Sequence, residues 1–294
     1  MTLIRTTYHG RLAAMQRSTS RSAERLSQAQ REASTGLSYS RPSDDPGRTS
    51  RIQNFQELQK DQEVWQDNAE WTDGILNRAD SALSTLADAL ADARVLAVQM
   101  SSEEYNADQR IDAAVTGQAM LEQALEAGNA QFGDRYIFAG TSYDAAAYDT
   151  AGLYLGDTGQ PEVPVAEGLR VASGFDGSAL LQGAAGDIIG AFTNLVANLT
   201  TGSATSVQSS LDDIEDAVAQ LSEAQAVVGG EMRLGMDAMD LAASLEIELS
   251  AEVAGLTEVD MAQSYSDLFL YQQSYDAALQ LTAATRSSLL FSRI

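Results

Sequence analysis

The feature that most restricts how this chain can fold is a row of residues at alternating spacings of three and four: Phe55, Leu58, Gln62, Trp65, Ala69, Thr72, Leu76, Ala79, Leu83, Leu86, Leu90, Ala93, Ala97 and Met100. The row keeps one helix face largely apolar throughout, and it predicts a coiled-coil-like helix of roughly 75 Å from Arg51 to Met100. A helix that long outgrows a globular core and must find partners along its length. Weaker seams elsewhere can supply them. Leu12, Met15, Thr19, Ser22, Leu26, Ala29 and Ala33 form one before it. After a turn at 101–107, Ile111, Ala114, Gln118, Leu121, Leu125, Gly128 and Phe132 predict the return leg of an antiparallel helical hairpin. Val207, Leu211, Ile214, Val218 and Leu221, then Met261, Leu268, Tyr271, Tyr275, Ala278 and Leu289, stripe the C-terminal part.

Punctuation separates these helices. The first seam stops at Gly36, and 38–47 reads as a loop in which Asp45 suits an N-cap and Pro46 a first helical position. Thr205 with Gln208 and Asp260 with Gln263 have capping-box spacing. Residues 133–190 hold 11 of the 22 glycines and two of the four prolines. There Tyr136–Phe138, Leu153–Leu155, Val163–Val165 and Leu169–Ala172 read as short strands. The expected fold is mainly α: an elongated antiparallel helical bundle or coiled-coil rod formed by the N- and C-terminal regions, with a small β-rich inserted domain. Its expected parts are an assembly helix and loop at 1–45, the first part of the rod at 46–133, a β-rich outer domain at 134–190, the second part of the rod at 191–256, and a C-terminal assembly helix at 257–294.

Composition removes most chemistry. Among 294 residues there is no Cys and a single His, His9, which excludes thiol nucleophiles, zinc clusters and multi-histidine metal sites. No phosphate loop, HExxH or GxSxG occurs. Asp44 and Asp45 have no third ligand in register and read as a turn and cap. We therefore expect no catalytic, metal or cofactor site, and no enzyme. A net charge of -24 repels nucleic acid and anionic membranes, and no apolar run approaches a membrane span or reads as a cleavable signal. The charge is uneven, with nine Arg against four acids in residues 1–51, so the basic arm is expected to pack on an acidic partner, either the C-terminal region or a neighbouring copy. Trp65 lies in the seam and reads as core, whereas Trp71 lies off it and is a candidate subunit contact. Asn198-Leu199-Thr200 matches a glycosylation triplet but reads as a helix end or loop. The terminal seams, rich in Ala, Ser and Thr, are marginal alone and point to a protein that assembles through closely approaching helices.

Three patches carry a family resemblance. Ser34-Thr35-Gly36 followed by Arg41-Pro42-Ser43-Asp44-Asp45-Pro46 resembles the N-terminal "STG…PSDDP" signature of the hook-associated protein 3 branch of the flagellin superfamily. Arg135-Tyr136-Ile137-Phe138-Ala139-Gly140 is similar to the "RYLFAG" segment with which that branch enters its outer domain. Asp260, Ala262, Tyr265, Leu268, Gln272 to Tyr275 and Ser288 to Leu290 resemble its closing helix. The opening Thr2 to Tyr8 is longer than that pattern, and the insertion is small. The resemblance implies a structural subunit of the bacterial flagellum, extracellular, exported by the flagellar type III route without a cleaved signal, and stacked as a ring between hook and filament. Its terminal helices would form an inner tube, with Leu12, Met15, Leu26, Leu268, Tyr271, Tyr275, Leu289 and Leu290 at assembly contacts. Implied partners are further copies of itself, another hook-associated protein, flagellin and an export chaperone. Alternatives are a short flagellin that builds the filament, or a secreted coiled-coil adhesin or binding module with Tyr143, Tyr148, Tyr154 and Phe175 in its head.

Overall fold

The computed structural model describes residues 8–38 and 45–291, with side chains described at 10, 13–38 and 45–284. Pro42, Ser43 and Asp44, and the side chains of His9, Leu12, Leu289 and Leu290, lie outside the described residues. The chain is 73% helical. Its helices are α1 (Tyr8–Thr35), α2 (Pro46–Met100), α3 (Ala107–Gly128), α4 (Gly177–Leu180), α5 (Ile188–Thr200), α6 (Ala204–Thr257) and α7 (Met261–Phe291). Two antiparallel hairpins lie between α3 and α4 in the chain: β1 (Gln131–Phe132) with β2 (Arg135–Tyr136), and β3 (Glu162–Ala166) with β4 (Leu169–Ala172). Two compact units result, residues 60–246 and residues 1–59 with 247–294.

In the unit of residues 60–246 the long seam is buried as spaced: Ala69, Thr72, Leu76, Ala79, Leu83, Leu86, Leu90, Ala93, Ala97 and Met100 all lie inside. Each fully buried leucine contributes about 1.5–3 kcal/mol. The facing row on α6 follows the same rule but in a different phase from the one its large residues suggest. Val207, Ser210, Ile214, Ala217, Leu221, Ala224, Val228, Gly235, Ala238 and Ala242 are buried, while Val218 is exposed and Leu211 half-buried. Small residues at alternate seam positions are what the close-packed interior accommodates, and the bulkier neighbours fall to the rim. Position 231, which the spacing would place in this row, is Glu231. Its Oε2 accepts from the Ala172 amide at 3.0 Å, so the seam yields one position to hold β4. Asn68 on α2 likewise donates to the Pro164 carbonyl on β3 at 2.9 Å.

The return leg α3 packs against α5. Its buried face is Arg110, Gly117, Leu121, Ala124, Leu125, Ala127 and Gly128, so Ile111 and Gln118, which the spacing placed inside, are exposed. At Gly117 the helix comes close enough that a Cβ would lie 3.2 Å from Leu199. Arg110 is buried without a carboxylate. Its guanidinium donates instead to the carbonyls of Met100 (2.7 Å), Ser102 (2.8 Å) and Gly202 (3.2 Å), thereby capping the end of α2 and the turn after α5. Helix C-termini present unsatisfied carbonyls and partial negative charge, which is why a cation can be buried there.

Several local expectations change. Ser203, not Thr205 with Gln208, caps α6, its hydroxyl accepting the Ser206 amide at 3.3 Å. Of Tyr136–Phe138 only Tyr136 is in a strand, and Leu153–Leu155 reduces to a single bridge between Tyr154 and Tyr148. Phe138 and Tyr148 are swallowed by the core, and their stretches bond to separate partners instead of forming a ladder: the Gly177 amide donates to Phe138 and the Phe175 amide to Ile137. Asn198-Leu199-Thr200 is the end of α5, as its sequence suggests, and Asn198 donates to the Ser210 hydroxyl at 2.9 Å. Trp65 is half-buried, while Trp71, the proposed subunit contact, packs on the core beneath the Arg135 guanidinium at 5.4 Å.

Replacing Arg110 by Met removes a donor from each of three carbonyls and is expected to cost about 3 kcal/mol, read as a lower urea midpoint at unchanged slope. Arg94→Met, which breaks the exposed 2.8 Å pair with Glu215, is expected to cost about 0.5 kcal/mol in the same measurement.

Candidate assembly interface

In the unit of residues 1–59 and 247–294, α1 packs against α7. On α1 the inward stripe is Met15, Thr19, Ser22 and Leu26, half-buried, then Ala29 and Ala33, buried. On α7 it is buried Ser264 and half-buried Leu268, Tyr271, Tyr275, Ala278 and Thr282. Both stripes keep the three-and-four spacing, and Thr19 and Thr282 meet across the pair with their hydroxyls 3.3 Å apart. A helix pair can cover only one stripe of each member. α7 is apolar on more than one side, and Tyr265, Phe269, Leu270 and Leu279 remain exposed, Phe269 to 74%. Large apolar side chains left in water on one helix mark a candidate contact surface. Spacing picks out the inward stripe and misses these outer residues, although the adjacent Phe269-Leu270 is the signal that large apolar side chains also lie off it.

The two legs of the chain break their helices together. Ser34 and Thr35 both donate their hydroxyls to the Arg31 carbonyl, at 2.9 and 2.8 Å. Gly36 then takes φ +72°, the left-handed conformation that ends α1, its amide donating to Glu32. Leu37 pairs with Glu258 as an antiparallel bridge: the Val259 amide donates to Gly36 at 2.9 Å and the Ser38 amide to Thr257 at 2.8 Å. The gap between α1 and α2 is thus tied to the gap between α6 and α7. Beyond it Asp45 caps α2, its Oδ1 accepting the Arg48 amide at 2.9 Å, with Pro46 the first helical residue. Arg48 reaches back to the Ser38 hydroxyl at 3.1 Å. Asp260 caps α7 by accepting from Ala262 and Gln263, but the Gln263 side chain turns forward to Asp267, so the reciprocal half of the expected box is absent.

In residues 60–246 the Arg135-to-Gly140 segment leads the chain from the first hairpin into the inserted region. Arg135 is stacked between aromatic rings, 4.1 Å from the Tyr143 centroid and 5.4 Å from that of Trp71. Tyr136 ends β2, and Phe138 is fully buried. Gly140 has φ +70°, and a Cβ there would overlap the Asp157 carbonyl. The Asp157 carboxylate accepts from the Thr141 hydroxyl and amide, from Gly159 and from Ser142, and these donors hold it well below the usual carboxylate range. The hydroxyl of Tyr154 donates to the Phe138 and Asp157 carbonyls, and burial with the nearby Asp176 charge pushes it up to about 12. Burial raises Tyr148 further, its hydroxyl bonded to Gly177 at 2.9 Å. These groups fasten turns to one another. Among the described residues no group of three or more His, Asp or Glu is placed to hold a metal ion, and no helix is long and apolar enough to cross a membrane.

Residues 8–143 match the family model of the bacterial flagellin N-terminal helical region. No curated protein matches the chain. The fold is similar to that of a Vibrio parahaemolyticus protein described as flagellar hook-associated, with a TM-score of 0.66 at 18% identity, over 73% of this chain and 100% of that one. Hook-associated protein 3 from Legionella pneumophila aligns with a TM-score of 0.61 at 15% identity, over 70% of this chain and 98% of that one. For FlgL from Xanthomonas campestris the values are 0.60, 19%, 68% and 99%.

Gly36→Ala is expected to cost about 1–2 kcal/mol through backbone strain alone, because a Cβ there meets only the Met261 sulfur at an ordinary 3.7 Å; chemical denaturation reads it. Tyr154 is raised on folding, so the stability it contributes is complete below its unfolded value of 10.0 and is lost as pH climbs to about 12. The near-ultraviolet circular dichroism of the protein is expected to change over that window, and Tyr154→Phe to flatten the change.

Proposed function

We propose that this protein is a structural subunit of the bacterial flagellum that joins hook to filament, and that it acts by assembly and not by catalysis. The observation that carries the reading is α7. One side of it packs on α1 and another side, with Phe269 and Leu270, is left in water on a fold shared with hook-associated proteins. Copies stack in a ring, and burial of the remaining apolar face on neighbouring helices drives stacking. Leu12, Met15, Leu26, Leu268, Tyr271, Tyr275, Leu289 and Leu290 belong to this helical tube. Residues 134–190 form the outward-facing region, which the Arg135 stack and the Asp157 turn hold in one shape. Another hook-associated protein lies on one side of the ring and flagellin on the other, and an export chaperone shields the C-terminal helix before passage through the type III apparatus. The working protein is extracellular.

A second reading, a short flagellin that builds the filament itself, is favoured by the match of residues 8–143 to flagellin's own N-terminal region. Deleting the gene separates the two. Bare hooks by electron microscopy, with monomeric flagellin in the medium, are expected for a junction subunit. Disappearance of flagellin antigen would make this chain the filament, and unchanged filaments would overturn both readings. Phe269→Asp with Leu270→Asp is expected to reduce the protein recovered in isolated flagella by about tenfold while leaving the helicity of the free chain unaltered.

A further inference from the structure

α1 carries a groove along one edge of the face it packs on α7, sharing Ser22 with that face. Its wall is Arg17, Arg21 and Arg25, one turn apart, and its floor is Ala14, Ser18 and Ser22, also one turn apart; the hollow measures about 380 Å³. All but Ser22 are exposed. The ion pairs among the described residues are Arg94 with Glu215 and Arg170 with Glu162, so these arginines have no carboxylate there, Glu24 on their own helix included. Arg17 turns its Nε to the Ala13 carbonyl. A floor of small side chains beside a row of cations fits another helix that brings small residues to the floor and carboxylates to the wall.

The chain contains such a helix face. Near the end of α6, Glu248 and Glu252 are exposed one turn apart, flanked by exposed Ala251 and Gly255, and nothing lies within 4 Å of a Cβ built on Gly255. Two other acidic rows fit less well. Glu122 and Glu126 line a hollow of their own, and Glu57 and Asp61 have Lys60 beside them. We infer that the α1 groove of one copy receives the Glu248–Glu252 face of α6 from a second copy. The inference rests on the assembly reading and adds to it a charged register: apolar burial of α7 supplies attraction without direction, and the rows of opposite charge set which turn meets which.

Because the chain has no cysteine, single replacements report contacts cleanly. Ser18→Cys and Ala251→Cys chains are co-expressed in the source bacterium, and isolated flagella are oxidised. A mixed disulfide dimer is expected, absent when either variant is expressed alone. Arg21→Glu with Arg25→Glu, and separately Glu248→Arg with Glu252→Arg, are expected to reduce swimming about tenfold, and the four together to restore most of it. Circular dichroism of each purified variant checks that the helices remain. If both cysteine chains are present in flagella but form no mixed dimer, or the combined reversal restores nothing, the groove has another occupant and the inference falls while the assembly reading stands. If the wild-type chain is itself absent from isolated flagella, the assembly reading falls and takes this one with it.

Discussion

Helices of 55 and 54 residues stay ordered in water only if a face of each is continuously withdrawn from it, and the rest of this structure depends on how that is done. From Ala69 to Met100 on α2 and from Val207 to Ala242 on α6, residues at strict three-and-four spacing go inside. The spacing makes the seam straight enough to continue, and Ala, Ser and Gly at alternate places keep it narrow. Where another element must be attached, the seam gives up a position. Glu231 exchanges apolar burial for a bond to β4, and Gln220, also buried, uses its amide to bond the Leu180 carbonyl and the Ala185 amide. The inserted region hangs on such side-chain bonds, since its two sheets have only two strands each and could not stand alone.

The α1–α7 unit obeys the same rule incompletely. Its helices have the right period but too little volume along the shared stripe, where Thr19, Ser22, Ala29, Ala33, Ala278 and Thr282 take the places that leucines hold in a self-sufficient coiled coil. What such a pair loses in burial it gains in closeness of approach, and it leaves a second apolar face on α7 and a basic groove on α1. The Ser264 hydroxyl, buried with no hydrogen-bond partner among the described residues, is a further sign that this unit is not optimised as an isolated pair. Apolar surface left uncovered in this way is what the proposed assembly would bury.

Much of this was legible beforehand because helix period is a local property. The phase of α2, the inward stripes of α1 and α7, the end of α1 at Gly36 and the cap at Asp45 all follow from residues within a turn or two of one another. The misjudged details share a cause. On α6 the larger residues Leu211 and Val218 suggested a seam that packing assigned to Ser210 and Ala217, and on α3 Ile111 looked internal where Arg110 is. Burial is decided by the shape and polarity of the facing surface, and a cation is admitted when three carbonyls happen to converge on it. The strands expected around Ile137 and Tyr154 dissolved into single bridges for the same reason, since their aromatic side chains were worth more in the core than their backbones in a ladder.

The amino-acid sequence by itself determined that this chain is mainly helical, that α1 stops at Gly36 and α2 starts after Asp45, that it carries no thiol chemistry or multi-histidine metal site, and that its ends are amphipathic, the N-terminal one basic against an acidic body. These follow from spacing, capping and composition, which act over a few residues. Tertiary structure alone decided which small residues form the seams, that the Arg135 guanidinium rests on Trp71, that Gly36 and Val259 tie the two helix breaks together, and that α7 keeps a second apolar face in water. Those outcomes depend on surfaces far apart in the chain competing for the same limited interior, and no local pattern records which of them wins.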